Sequence, residues 1–149
     1  MPGEALIREA EADDLPALLR LYGQLGGPGT LPGEFSAREA LSAISAQPGM
    51  HLLVVEVNGE VAGTVTLVVA PNLTHFARPW AQVENMVVDE ELRGQGIGRR
   101  LLDRCVELAT EAGCYKLQLQ SAEHRLDAHR FYESFGFQPS SVGFRLYLE

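Results

Sequence analysis

The stretch RGQGIG, from Arg93 to Gly98, decides the fold of this chain. Its three alternating glycines stand between an apolar run, Val83 to Val88, and an amphipathic segment that begins at Gly98. Backbone N–H groups at the start of a helix have no intrahelical partner, and the helix dipole adds partial positive charge there. We therefore expect this loop to bind a phosphate or pyrophosphate group.

The spacing of the glycines distinguishes this loop from a dinucleotide-binding fingerprint. Its pattern is G-x-G-x-G, one residue short of G-x-G-x-x-G, and the elements before it are predicted to form a hairpin rather than a strand–helix–strand unit. A tight turn without a ligand is the other alternative, because glycines before a helix also serve that purpose.

Bulk composition sets limits on the class of protein. A chain of 149 residues with 46% hydrophobic content predicts a single domain, residues 1–149. The net charge of −8 argues against nucleic-acid or anionic-membrane partners. Because no run approaches the ~20 apolar residues of a membrane helix, we expect a cytoplasmic protein with no membrane partner.

Cys105 and Cys114 are predicted to be buried thiols.

The N-terminal part predicts a strand followed by two helices. Ala5 to Arg8 is predicted to be the strand, and Asp13 or Asp14 is predicted to cap the first helix. A loop rich in glycine and proline follows, after which Ser36 is predicted to cap the second helix.

A β-hairpin is the clearest local signal in the chain. Two β-rich runs, His51 to Val57 and Glu60 to Val69, are joined by Asn58 and Gly59. Asn-Gly is the preferred dipeptide of a type I′ turn, which links antiparallel strands.

Alternating strands and helices are predicted for the rest of the chain. The predicted elements are a strand Trp80 to Val88, a helix from Gly98 to the C′ residue Gly113, a strand Tyr115 to Ser121, a helix from Asp127 to near Gly136, and a strand Phe144 to Leu148. The order of elements indicates a mixed α/β sheet.

Two motifs resemble the GNAT superfamily of acetyl-CoA-dependent N-acetyltransferases. The family signature, Arg or Gln followed by x-x-G-x-G/A, is matched at Arg93, Gly96 and Gly98, and the stretch A-x-x-F-Y-x-x-x-G-F is matched from Ala128 to Phe137. The resemblance covers essentially the whole chain. It implies an α/β domain with a central, mixed, mostly antiparallel twisted sheet, splayed strands 4 and 5, and about four flanking helices.

The same resemblance implies an activity. The expected reaction transfers the acetyl group of acetyl-CoA to a primary amine of a small molecule by direct attack, without a metal ion. The alternatives are acetylation of peptide or protein amines and a non-catalytic acyl-CoA-binding module. Related enzymes commonly dimerise, so a homodimer is also expected.

Similarities within the family point to different acceptors. Val83 to Val88 and Cys114 to Lys116 are similar to glucosamine-phosphate N-acetyltransferases, whereas Asp127 to Tyr132 is similar to aminoalkylphosphonate N-acetyltransferases. Asn85 stands where the sugar enzymes have Asp, and Arg125 stands where the family often has Asn. The sequence therefore leaves the acceptor open.

The resemblance also implies which residues hold acetyl-CoA. Backbone donors of the fourth strand would bind the pantetheine arm and the thioester carbonyl, and a β-bulge there would free their amides. The glycine loop would bind the pyrophosphate. Arg100 either contacts a phosphate oxygen or is an ordinary solvated arginine of a surface helix, and the sequence leaves both alternatives open. The predicted contacts are Met86, Val87, Val88, Arg93, Gly94, Gln95, Gly96, Ile97, Gly98 and Arg99.

Tyr132 is the candidate general acid, because a phenol beside the departing thiolate can donate a proton. The alternative is a core aromatic, since Phe131, Phe135 and Phe137 surround it in sequence. Adjacent helical residues point about 100° apart, so Phe131 can fill the core while Tyr132 faces a cleft.

Glu84 is the candidate general base, acting directly or through water. Strict strand alternation would place it on one face with Gln82, Met86 and Val88, which indicates a polar strip along the cleft. The alternative is a solvated carboxylate at a strand edge.

Histidine spacing predicts no metal site, because no pair of the four histidines has the spacing of metal ligands. An anionic group of the substrate is a further hypothesis. Its candidate contacts are His75, Arg78, Arg125 and His129.

Overall fold

The computed structural model describes residues 4–149, so the first three residues of the predicted domain lie outside the described residues. Within that range, five strands form one sheet in the order β1-β2-β3-β4-β5, and five helices accompany it. The strands are β1 Ala5–Glu9, β2 Met50–Val57, β3 Glu60–Ala70, β4 Trp80–Val88 and β5 Leu117–Gln118. The helices are α1 Leu15–Gly26, α2 Glu34–Ala46, α3 Thr74–Ala77, α4 Ile97–Glu111 and α5 Leu126–Phe135.

The sheet confirms the predicted mixed α/β fold. β1, β2, β3 and β4 pair in succession as antiparallel strands, and β5 runs parallel to β4. The predicted hairpin is present, with Asn58 at φ 54° and Gly59 at φ 82°, the left-handed pair that a type I′ turn requires. α3 is a single turn with left-handed backbone at His75 and Phe76.

Helices cover both faces of the sheet. Leu101 of α4 packs in one core cluster with Val55, and Leu18 of α1 packs in a second cluster with Val54. Successive residues of a strand point to opposite faces, so β2 serves both clusters. Of the two thiols, Cys105 lies in the first core, and its burial raises its pKa to about 12; Cys114 is only half-buried, contrary to prediction.

Three local predictions were wrong. α2 begins at Glu34 with Gly33 as its N-cap residue, so Ser36 lies inside the first turn rather than at the cap. β5 contains two residues rather than Tyr115 to Ser121, because it leaves β4 after one short pairing. The expected strand from Phe144 to Leu148 is irregular backbone, because it pairs with no strand among residues 4–149.

A salt bridge fastens β1 to the start of α1. The Arg8 guanidinium donates to both carboxylate oxygens of Asp14, at 2.7 and 2.8 Å, and to Glu56 at 2.7 Å. Asp14 is 7% exposed, and its hydrogen bonds with Arg8 hold its carboxyl pKa below the ordinary 3.8. The side chain of Asp14 is thereby fixed at the N-cap of α1.

We expect Arg8→Met to lower the free energy of unfolding by about 1–3 kcal/mol near neutral pH, because it leaves Asp14 buried without its cation. Asp14 has a depressed folded-state pKa, so this stabilisation is complete above 3.8 and disappears as the pH falls through the lower folded value. Urea unfolding at neutral and acidic pH measures the difference. Arg38→Met, which breaks an exposed pair with Glu34 on α2, is the control and should cost under about 1 kcal/mol.

Candidate active site

A gap opens in the sheet between β4 and β5. The two strands pair only at Ala81 with Leu117 and at Gln82 with Gln118, and beyond these pairs they separate. The predicted splaying of strands 4 and 5 is therefore confirmed. The C-terminal part of β4 consequently has backbone groups on this side that no strand of the described chain uses.

A β-bulge interrupts β4 at the edge of this gap. Thr66 of β3 pairs with Glu84, but Thr64 pairs with Val87, so one intervening residue of β3 faces two of β4, Asn85 and Met86. Asn85 adopts φ 50°, a left-handed conformation that asparagine tolerates better than most residues. The bulge lies next to the backbone donors predicted for the thioester.

The bulge reverses the side-chain alternation of β4. Before it, Glu84 pairs with Thr66 on the face where Tyr22 of α1 contacts that hydroxyl. After it, Met86 and Val88 pack against the core cluster of α4. The expected sharing of one face by Glu84, Met86 and Val88 is therefore wrong, because one extra residue shifts the period of two.

Backbone direction also follows from the bulge. The Asp89 N–H donates to the Ala62 carbonyl at 2.8 Å, and the Val87 carbonyl lies toward Gly63, so both residues face β3. Alternation then turns the backbone groups of Met86 and Val88 away from β3, toward the gap. The Val88 carbonyl accepts a hydrogen bond from Arg93 Nε at 3.3 Å.

The glycine loop lies between a 3-10 turn, Glu90–Leu92, and the first residue of α4. Gly94 and Gly96 have φ values of 80° and 82°, which side chains other than glycine rarely adopt. The residues from Gly94 to Gly96 are exposed, whereas the Ile97 side chain is 2% exposed and belongs to the core. Only the backbone N–H of Ile97 is left for a ligand.

Gly98 marks the closest approach of three elements. A Cβ added at this residue would lie 3.0 Å from Met86 Cε and 3.3 Å from Phe131 Cζ. β4, α4 and α5 therefore converge at the first turn of α4. This convergence also places the bulge and α5 beside the glycine loop.

The three arginines of this region have different surroundings. Arg93 reaches the end of β4 through Val88, and the Arg99 guanidinium lies 5.1 Å from the centre of the Phe135 ring. Arg100 instead lines a groove beside Ala5 and Ile7 of β1. Arg93 and Arg99 thus lie near the glycine loop, and Arg100 points elsewhere.

Tyr132 lies on α5 between two residues that contact the first turn of α4, Phe131 and Phe135. Its half-buried ring lies 5.4 Å from the Phe131 ring and 5.9 Å from the Phe137 ring. Burial raises the pKa of its hydroxyl above the ordinary 10.0, and the charge of Arg125 partly opposes this rise. No side chain or backbone group within residues 4–149 is hydrogen-bonded to the hydroxyl.

Glu84 is exposed on β4, where one of its oxygens accepts a hydrogen bond from Gln82 Nε2 at 3.2 Å. Its side chain shares a face with Gln82 and Thr66, opposite to the face on which Val83 joins the core of α4. Glu84 and the glycine loop therefore approach the gap from opposite faces of the sheet.

The predicted anion contacts have different surroundings. The His75 ring stacks on Tyr115 with 3.8 Å between centroids, and Arg78 donates to the carbonyls of Gly113 and Cys114. His129 Nε2 lies 2.8 Å from the Ala122 carbonyl. Arg125 is near Tyr132, and its carbonyl accepts a hydrogen bond from the His129 N–H at 3.1 Å, so these two residues lie beside the candidate acid.

Two features of the site were missed by sequence reasoning. One is the reversal of faces at Asn85, for which an asparagine inside an apolar strand was the available signal. The other is the contact of Met86 and Phe131 across Gly98, which joins residues too distant in sequence for any local pattern to predict.

Residues 4–149 contain neither a cluster of metal-ligating side chains nor a membrane-spanning helix. Among residues 4–149, no three His, Cys, Asp or Glu side chains are grouped in a way that would hold a metal ion. No helix in this part of the chain reaches the length and apolarity needed to cross a membrane.

Known proteins resemble this chain in sequence and structure. It is 32% identical to a glucosamine 6-phosphate N-acetyltransferase of Trypanosoma brucei brucei over 94% of this chain and 93% of the other. It is 35% identical to an aminoalkylphosphonate N-acetyltransferase of Salmonella typhimurium over 72% and 69%. A solved Agrobacterium tumefaciens protein, provisionally assigned as an acetyltransferase, has a TM-score of 0.90 and 39% identity, covering 95% of this chain and 99% of the other. The model of the acetyltransferase (GNAT) family matches residues 8–137, and the chain therefore belongs to this family of acyltransferases.

Proposed function

We propose that this protein, as a single domain, transfers the acetyl group of acetyl-CoA to a primary amine of a small molecule. The observation that carries the proposal is the convergence at Gly98, which joins an exposed helix N-terminus to a bulged strand and, through Phe131, to the helix α5 that carries Tyr132. Helix N-termini bind phosphate groups, and bulged strands present free amides. A helix N-terminus beside a bulged strand therefore suits acetyl-CoA, which carries both phosphate groups and a thioester.

Acetyl-CoA would lie along the face of α4. The backbone N–H groups of residues 94–99 would hold the pyrophosphate, with Arg93 and Arg99 supplying positive charge. Met86 and Val88, whose backbone groups face the gap, would hold the pantetheine arm and polarise the thioester carbonyl. Val87 remains a predicted contact, although its carbonyl lies toward Gly63.

The amine would enter from the opposite face, beside Glu84. Its nitrogen attacks the thioester carbon, so an N–C bond forms as the C–S bond breaks. Glu84 takes the proton lost by the amine, directly or through water, and the Tyr132 hydroxyl protonates the departing thiolate. The products are an N-acetylated amine and CoA.

Thiol release from acetyl-CoA with a panel of amines tests the proposal. The panel contains glucosamine 6-phosphate and an aminoalkylphosphonate, which are acceptors of similar proteins, each beside the same amine without its phosphorus group, together with a peptide. Amine-dependent release, with the product mass confirmed, is the expected result. Acetylation of the peptide alone would favour a protein acceptor, and acetyl-CoA binding without release to any amine would indicate a non-catalytic module.

Arg93→Ala should weaken acetyl-CoA binding about 10- to 150-fold, since a charge-assisted contact contributes about 1.5–3 kcal/mol. Calorimetric titration measures the dissociation constant, and the loss should shrink at high salt because exposed charges are screened. Arg100→Ala is the control, because Arg100 lies beside β1. Equal losses in both variants would remove Arg93 from the site and leave only the general charge of the region.

We also propose that the protein is a cytoplasmic homodimer. Cys105 and Cys114 are free thiols, the usual state of cysteines in a reducing compartment. Phe144 and Leu148 near the C-terminus are 90% and 93% exposed, and exposed apolar surface of this kind marks protein–protein contacts.

A further inference from the structure

Helix α1 contacts the turn in front of the glycine loop through two polar side chains. The Arg20 guanidinium donates to Asp89 Oδ2 at 2.6 Å and to the Val61 carbonyl at 3.2 Å. One helical turn further on, Gln24 Oε1 accepts a hydrogen bond from the Glu90 N–H at 2.9 Å. α1 therefore holds the turn at two successive residues.

Asp89 organises this turn. It is the N-cap residue of the 3-10 turn before the glycine loop, and its Oδ1 accepts a hydrogen bond from the Glu91 N–H at 3.1 Å. Its N–H donates to the Ala62 carbonyl at 2.8 Å, and its carbonyl accepts from the Leu92 N–H at 2.8 Å. Arg20 binds the remaining carboxylate oxygen. Each polar group of Asp89 is thus used to shape the turn.

The Asp89 carboxylate is charged at neutral pH. Burial opposes its ionisation, but hydrogen bonds from the Glu91 N–H and from Arg20 outweigh this effect, so the pKa of the carboxyl group lies below the ordinary 3.8. The Asp89 side chain is 15% exposed and the Arg20 side chain is 48% exposed. A pair that is partly shielded in this way is screened less than a fully exposed one.

The contact connects the two faces of the sheet. α1 packs on the face that carries Thr66 and Glu84, which is the proposed amine side. α4, which follows the glycine loop, packs on the other face. The turn lies between them at the end of β4, so a residue of α1 can fix the glycine loop from the amine side of the sheet.

The glycine loop depends on such an anchor. Gly94 and Gly96 follow the turn closely in sequence, and glycine populates many backbone conformations. The direction of the loop's N–H groups is therefore set by the elements at its two ends. α4 fixes one end, and the turn held by Arg20 fixes the other.

We infer that Arg20 is a positioning residue for acetyl-CoA, which holds the turn through Asp89 and so directs the N–H groups of the glycine loop toward the pyrophosphate. This inference rests on the proposed function. Donors that are already ordered lose less conformational entropy when a ligand binds. Loss of the anchor should therefore weaken acetyl-CoA binding and leave the reacting groups unaffected.

Arg20→Met tests the inference with two thioesters, acetyl-CoA and S-acetylpantetheine, which lacks the pyrophosphate. With the most active amine of the panel, kcat/KM for acetyl-CoA should fall about 3- to 10-fold, since the contact is charge-assisted but partly exposed. Both kcat at saturating acetyl-CoA and kcat/KM for S-acetylpantetheine should stay unchanged. Calorimetric titration should show the same loss of acetyl-CoA affinity. Arg20→Lys keeps the charge and should recover most of the loss.

Arg38→Met is the matched control. It removes one positive charge from the neighbouring helix α2, where Arg38 forms an exposed pair with Glu34, and it should leave the kinetics of both thioesters unchanged. An equal loss for both thioesters in Arg20→Met would make Arg20 a residue of general stability. Either that result or an unchanged acetyl-CoA affinity would overturn the inference.

Amide hydrogen exchange on the free protein separates a failure of this inference from a failure of the proposed function. The N–H groups of Glu90, Glu91 and Leu92 are all hydrogen-bonded, and they should exchange several-fold faster in Arg20→Met than in Arg38→Met. Unchanged exchange would overturn the inference even if the wild type transfers acetyl groups. A wild type that binds no acetyl-CoA would overturn the proposed function and with it the positioning of acetyl-CoA, while faster exchange would show that Arg20 nevertheless fixes the turn.

Discussion

Replacing Tyr132 by phenylalanine is expected to lower kcat by about 10²- to 10⁴-fold, the usual contribution of a general acid. Acetyl-CoA affinity should not change, because the ring contacts with Phe131 and Phe137 remain. The wild-type rate should fall at alkaline pH, above the ordinary tyrosine value of 10.0, since burial raises the pKa of this hydroxyl. The hydroxyl is thus protonated and able to donate throughout the neutral range.

The measurement compares the steady-state rates of the wild type and of Tyr132→Phe as a function of pH. Calorimetry gives the acetyl-CoA affinity of each protein. The variant should lose the alkaline limb assigned to Tyr132 along with most of its activity. Tyr115→Phe is the control, because it removes a hydroxyl from a ring whose stacking on His75 is retained. A variant that keeps wild-type kcat would show that Tyr132 is the core aromatic of the alternative interpretation.

The second large effect is expected from Glu84→Gln. Loss of the base should lower kcat by about 10²- to 10⁴-fold while leaving acetyl-CoA binding intact, because Glu84 and the glycine loop lie on opposite faces of the sheet. The change keeps the size of the side chain and its contact with Gln82. Rates at saturating amine measure kcat apart from amine binding.

Glu60→Gln, an exposed carboxylate at the start of β3, controls for the loss of one negative charge. The rate of Glu84→Gln should also respond to the basicity of the amine, since an amine that is already neutral needs less help from a base. An equal and small effect in both variants would make Glu84 a solvated strand-edge carboxylate.

Local chemistry explains which parts of the fold were predictable. Asn58 and Gly59 require a left-handed turn wherever they occur between β-rich runs, so the hairpin followed from the sequence. Gly113 likewise ended α4 as predicted, with φ 83° one residue beyond the C-cap. Ser36 failed as a cap because Gly33, three residues earlier, has extended backbone and can start the helix itself.

The remaining misses depend on contacts between distant residues. A strand from Phe144 to Leu148 has the correct pattern, but a strand also needs a neighbouring strand, which a local pattern does not supply. The sharing of one face by Glu84, Met86 and Val88 was predicted incorrectly for a similar reason. Alternation holds only while the ladder is regular, and the register of β3 against β4 decides that.

The bulge at Asn85 has a consequence for changing the acceptor of this enzyme by directed evolution. Because the faces reverse there, the side chain at position 82 can be randomised on the amine side, with Glu84 kept as the base, while the backbone at Met86 and Val88 keeps its direction. A library confined to position 82 should therefore retain acetyl-CoA binding in most of its members. Deleting Asn85 would restore regular alternation and turn Met86 away from Gly98. This single change would separate the acetyl-CoA side of the site from the amine side.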